Sequence, residues 1–72
     1  MSQTIQVVLN KSPVELYKIL KFEGIASSGA EAKMMIEQGL VMVNNEPETR
    51  KRRQIISGDR IQVGDNYLLV SD

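Results

Sequence analysis

Apolar and polar residues alternate along this chain with two different periods, and the change of period predicts the order of its elements. In TIQVVLN, Thr4 to Asn10, the residues Ile5, Val7 and Leu9 fall on one face at the two-residue spacing of a strand. In KSPVELYKILKFEG the spacing lengthens, and Leu16, Ile19 and Leu20 recur at helical intervals. Ser12 is placed to cap this helix, Pro13 suits its first position, and Glu15 completes a capping box with Ser12. Gly24 stands where a left-handed C-terminal residue is expected. SSGAEAKMMIEQGL repeats the pattern, with Ser28 as cap, Glu31 three residues on, Ala32, Met35 and Ile36 as the apolar stripe, and Gly39 as the stop. Residues 24–27 are too few for anything but a tight turn between two helices.

The remainder reads as short strands. LVMV places Val41 and Val43 on one face, and NNE supplies turn chemistry because Asn tolerates positive φ. Pro47 assigns the next residues to an edge, since proline has no ladder donor. SGD, Ser57 to Asp59, is a turn into RIQV, with Ile61 and Val63 inward. GDN, Gly64 to Asn66, turns a hairpin into YLLV. The predicted order is a short N-terminal strand, two helices, then three or four short strands. The fold class is α+β, a two-helix αα turn packed on a small, mostly antiparallel sheet.

Composition narrows the function. Seventy-two residues make a single domain, 1–72, and leave no room for a cleft walled by a second one. Cysteine and histidine are absent, which removes thiolate chemistry, the commonest general base near neutral pH and the commonest metal ligand. No phosphate-cradling glycine loop occurs, and Glu46 and Glu48 lack a third ligand at useful spacing. The chain is therefore read as non-enzymatic, with no cofactor, metal or small-molecule substrate. No apolar run approaches the ~18 residues of a membrane helix, and MSQTIQVVLN does not read as a signal peptide, so no membrane partner and a cytoplasmic location are expected.

Charge changes the picture most. Nine Lys and Arg balance nine Asp and Glu, yet four cations stand together at Arg50, Lys51, Arg52 and Arg53. Without them five cations face nine anions, so the molecule should carry a basic patch on an acidic body. A solvated edge that discourages strand pairing accounts for such a run in the simplest way. The functional reading is a phosphate clamp, because Arg donates paired hydrogen bonds to phosphate oxygens and three of the four are Arg. In an extended segment Arg50 and Arg52 would share one side. The clamp reading requires the four side chains to gather beside the second helix without being neutralised by carboxylates.

The run SGAEAKMMIEQGLVMVNNE resembles the core of the RNA-binding domain first recognised in ribosomal small-subunit protein S-four, also called the alpha-L motif. The resemblance lies in a Ser opening the second helix, Ala32 and Lys33, then Ile36, Gly39, Val41, Val43 and Asn44, and later Gly58, Asp59 and Ile61. ETRKR, Glu48 to Arg52, is similar to small bacterial members that consist of this domain and little else. Residues 13–63 carry the likeness. It implies two helices on a small sheet, no catalysis, and binding to structured RNA, often ribosomal or transfer RNA, along the second helix and the adjoining hairpin. Association with the ribosome is an expectation at family level. The chain departs in two places: many members have Arg where this chain has Gly29, and an Arg-Leu-Asp run where it has Pro13, Val14 and Glu15.

The expected RNA contacts are thus Arg50, Lys51, Arg52 and Arg53, with Lys33 and the helix start at Ser28. Lys33 could instead pair with Glu37 one turn on. Lys18 and Lys21, three residues apart on the first helix, are further candidates beside a solvated-face reading. Asn44 is a further RNA-contact candidate, through a base or phosphate, though foremost a turn former, and Tyr17, Phe22 and Tyr67 are core or rim rather than a stacking platform. The competing function is a protein-binding adaptor that uses an edge strand or the acidic face.

Overall fold

A computed structural model describes residues 3–72. Its elements are β1 (Gln3–Val8), β2 (Val14–Glu15), α1 (Leu16–Phe22), α2 (Gly29–Glu37), β3 (Val41–Val43), β4 (Glu46–Pro47), β5 (Gln54–Ile55), β6 (Arg60–Val63) and β7 (Asn66–Ser71). Five of them form a sheet in the order β1-β7-β6-β3-β4, and β2 with β5 forms a separate two-stranded ladder. β1 runs parallel to β7, and every other pairing is antiparallel. Five strands follow the helices, one more than the upper expectation. The extra one is β5, whose two residues are too short to show a period.

The two-residue alternation of the strands decides which side faces the helices. Val7, Val41, Val43, Ile61, Val63, Leu68 and Val70 all point into one core, where they meet Leu16, Ile19 and Leu20 of α1 and Ala32 and Ile36 of α2. Gln6, Met42, Arg60, Gln62 and Tyr67 take the opposite face. Burying a Leu or Ile of this kind stabilises by about 1.5–3 kcal/mol, which a chain this small needs from every core position. The Cα radius of gyration is 10.7 Å, near the about 11 Å expected for the length.

The turns follow from single residues. Asn44 and Asn45 have φ of 53° and 69°, the pair of positive values that a two-residue hairpin between β3 and β4 demands. Gly39 ends α2 at φ 78°. β4, which contains Pro47, lies at the sheet edge.

The start of α1 departs from the expected capping box. Val14 and Glu15 pair with Ile55 and Gln54, so the backbone stays extended through Glu15, at φ −68° and ψ 138°. The helix begins at Leu16 with no side-chain cap from Glu15. Carbonyls from a distant loop replace it: Leu16 N–H donates to Arg53 O at 2.9 Å, and Tyr17 N–H to Lys51 O at 3.2 Å. Helix N-terminal donors need some acceptor, and tertiary pairing has supplied a different one from the local sequence. At α2 the local reading holds: Ser28 Oγ accepts from Glu31 N–H at 3.1 Å. Among the described residues no helix is long and apolar enough to cross a membrane.

Candidate nucleic-acid interface

The segment from Glu48 to Arg53 links β4 to β5 and lies against the first turn of α1, because its own carbonyls cap that helix. Arg53 N–H donates to Arg50 O at 3.1 Å, so the basic tetrad forms a turn and not an extended run. The expectation that Arg50 and Arg52 share a side is therefore corrected. It is Arg50 and Arg53 that converge, and they converge on Glu48.

Glu48 is the buried charged residue of the described chain, at 6% exposure. Its N–H bonds Val41 O, which anchors it to β3. Its Oε2 accepts from Arg50 N–H and Arg50 Nε, both at 3.0 Å. Its Oε1 accepts from Arg50 Nη2 at 3.1 Å and Arg53 Nη1 at 2.7 Å. Hydrogen bonding from the Arg50 side chain, with help from Arg50 N–H and from Arg53 and against the cost of burial, lowers the Glu48 pKa from 4.5 to about 2. The same bond raises the pKa of Arg50 above its ordinary value.

The other two tetrad cations have looser partners. Arg52 Nε lies 3.8 Å from Glu15 Oε2, and Lys51 Nζ lies 4.0 Å from Glu37 Oε2 near the end of α2. Lys18 Nζ sits 3.2 Å from the other oxygen of Glu15. All four tetrad cations are thus near carboxylates, where the sequence reading required them free. Exposed ion pairs of this kind are worth about 0–1 kcal/mol, so Arg52 and Lys51 remain exchangeable while Arg50 and Arg53 are fixed.

Lys33 does not reach Glu37, as the helical spacing allowed. Its Nζ lies 4.6 Å above the centre of the Tyr17 ring. Tyr17 also packs beside Gly29, where an added Cβ would stand 3.8 Å from the ring, so the ring joins the beginning of α2 to α1. Lys21 has no carboxylate partner among the described residues and stays exposed on α1.

Two candidates are absorbed by the fold. The Ser28 hydroxyl oxygen serves as the α2 cap. The Asn44 side chain donates to Asp59 Oδ1 at 3.0 Å and accepts from Arg60 N–H at 2.9 Å, which staples the β3–β4 turn to the turn before β6. Both ends of its amide are engaged, and the turn reading accounts for it fully. Phe22, at 73% exposure, lies on the surface, unlike the half-buried Tyr17.

A family model described as the S4 domain matches residues 7–71. The chain belongs to the S4 domain family. It is 48% identical over 54 residues to YbcJ of Escherichia coli (strain K12), covering 74% of this chain and 77% of YbcJ. It is 28% identical over 57 residues to RlbA of Bacillus subtilis (strain 168), a protein whose name refers to ribosome maturation, with 79% and 80% covered. The solution structure of Escherichia coli YbcJ, described as having an alphaL motif involved in RNA-binding, superposes with a TM-score of 0.74 at 40% identity, over 100% of this chain and 92% of that one. The α+β architecture of two helices on a mostly antiparallel sheet is thus that of the S4 domain.

Within this S4 domain, loop 48–53 is joined to the first turn of α1 through its carbonyls and to the end of α2 through the Lys51–Glu37 pair. Of six cations near this loop and the helix turn it caps, Lys18, Arg50, Lys51, Arg52 and Arg53 meet the three carboxylates Glu15, Glu37 and Glu48, and Lys33 lies over the Tyr17 ring. The sequence reading missed Glu48 and Tyr17 as organisers. Their signal was slight: an acid two residues before Arg50, and an aromatic one residue into a helix.

Proposed function

We propose that this chain binds structured RNA, without catalysis, through the face built by loop 48–53, Lys18 and Lys33. The observation that carries the assignment is the local excess of six cations over three carboxylates on a molecule of zero net charge. At physiological salt a charge is felt over about 8 Å, so an approaching backbone meets this face before the acidic remainder cancels it. Phosphate oxygens can displace Glu15 and Glu37 from Arg52 and Lys51, because those pairs are long and both cations reach solvent. Binding then rests on charge-assisted contacts to the backbone, with shape and not base identity deciding the docking site.

Family membership and the RNA-binding alphaL description of the YbcJ structure support the function. The ribosome-maturation name of RlbA favours ribosomal RNA among structured RNAs and a cytoplasmic setting. The test is fluorescence anisotropy with labelled ribosomal and transfer RNA fragments, comparing the parent with Lys51→Glu combined with Arg52→Glu. Both side chains are exposed and outside the core, so the variant should fold, and its affinity should fall roughly tenfold or more. Equal affinity would move the interface elsewhere.

A further inference from the structure

We propose that Glu48 is a positioning residue for RNA contact: it holds Arg50 and Arg53 side by side as a preformed fork for one backbone phosphate. This rests on the RNA-binding reading above and adds the residue that organises the site.

A carboxylate is costly to bury, and a buried ion pair is weak evidence of added stability, because apolar residues of similar size often serve the fold as well. Stability alone does not require that one acid at this position gather two arginines. What Glu48 supplies is geometry. Its two oxygens accept four hydrogen bonds, three from Arg50 and one from Arg53. Arg50 Nη2 and Arg53 Nη1 both touch Oε1, so the two guanidinium groups are close neighbours. Without the carboxylate between them, these like charges would separate.

Donors remain for a ligand. A guanidinium carries five N–H groups. Arg50 uses two on Glu48 and keeps three; Arg53 uses one and keeps four. Arg50 is mostly in solvent, with its side chain 74% exposed. An open depression lined by Arg50, Arg52, Arg53 and Gln54 lies beside the fork. Planar donors at fixed spacing match the two free oxygens of a phosphodiester, and fixing them in advance lowers the entropy lost on binding.

The backbone keeps the fork in place. Glu48 N–H is tied to Val41 O, and the carbonyls of Lys51 and Arg53 are held by Tyr17 and Leu16 N–H. Glu15 and Glu37 do nothing comparable: at 3.8 and 4.0 Å they neutralise Arg52 and Lys51 without orienting them.

The experiment uses the sign of the effect. Glu48→Gln removes a negative charge, so simple electrostatics makes RNA binding tighter. Loss of the fork makes it weaker. In the full chain, with the amide NMR fingerprint confirming the fold, Glu48→Gln should bind a structured ribosomal RNA fragment roughly five- to tenfold more weakly. Glu37→Gln, which removes the same charge from an exposed site, should bind as tightly as the parent or tighter. Glu48→Gln binding as well as the parent overturns the proposal. Should Glu48→Gln fail to fold, Arg53→Lys keeps the charge while removing the planar donors; undiminished affinity there overturns it equally. Should the parent bind none of the RNA fragments, the RNA reading fails, and titration with inorganic phosphate still tests the fork. The Arg50 and Arg53 Nε–H resonances should then move together in the parent and not in Glu48→Gln, and phosphate that leaves both unmoved in the parent overturns the fork.

Discussion

At Glu48 a carboxylate accepts four N–H donors while almost out of water, and both guanidinium partners favour its ionised form. Its pKa in the folded chain is about 2, against 4.5 in the unfolded one. A group with a lowered folded pKa adds stability that is fully present above the unfolded value and disappears as pH falls through the folded one. Stability should therefore decline from about pH 5 towards pH 2, by on the order of 2 kcal/mol once screening of the exposed Arg50 is allowed for. Urea unfolding at pH 7, 4 and 3 measures this. Glu48→Gln should remove most of the acid-dependent step, and an unchanged step would assign it to another carboxylate. Asn44 makes the complementary case. Its φ of 53° suits Asn, which is why the turn is readable from the sequence, but its bonds to Asp59 and Arg60 join residues 15 and 16 positions apart. Asn44→Ala should cost about 1–2 kcal/mol in thermal unfolding and leave RNA affinity unchanged.

The two helices begin in different ways. α2 is capped locally by Ser28, and Glu31 also accepts from Ser27 N–H and Oγ, so its start is written within five consecutive residues. α1 has equally good local signals in Ser12, Pro13 and Glu15, yet it begins at Leu16, because pairing of Val14 and Glu15 with β5 holds that stretch extended. Ser28→Ala should therefore destabilise the fold by about 1 kcal/mol, while Ser12→Ala should have almost no effect. Chemical denaturation of the two variants side by side decides the point, and an equal loss in both would place a cap at Ser12 after all. The apolar faces of both helices are legible from spacing alone, since Leu16, Ile19, Leu20, Ala32 and Ile36 are all buried.

Across the whole molecule, zero net charge conceals an uneven distribution. The face proposed around loop 48–53 has six cations and three carboxylates, so RNA binding should be strongly salt-dependent despite the neutral total. If about four phosphates are neutralised, the log–log slope of affinity against salt is about −3 on the single-strand coefficient, a loss of roughly 50-fold between 50 and 200 mM. Titrations at four salt concentrations check this, and a slope near zero would exclude phosphate contact as the source of affinity. The residues by themselves determined the two helical faces, the inward sides of the strands and the Asn and Gly turns, because each rests on a local backbone preference or on a period shorter than one element. They also showed that four cations stand together. Only the tertiary structure decided how those cations are placed. The carboxylates they meet, Glu15, Glu37 and Glu48, come from three separate segments, only Glu48 orients its partners, and the turn that sets Arg50 beside Arg53 is held by carbonyl contacts to a helix more than thirty residues earlier. Side-chain direction in an irregular loop has no period to read, so it waits on the long-range hydrogen bonds that fold the loop.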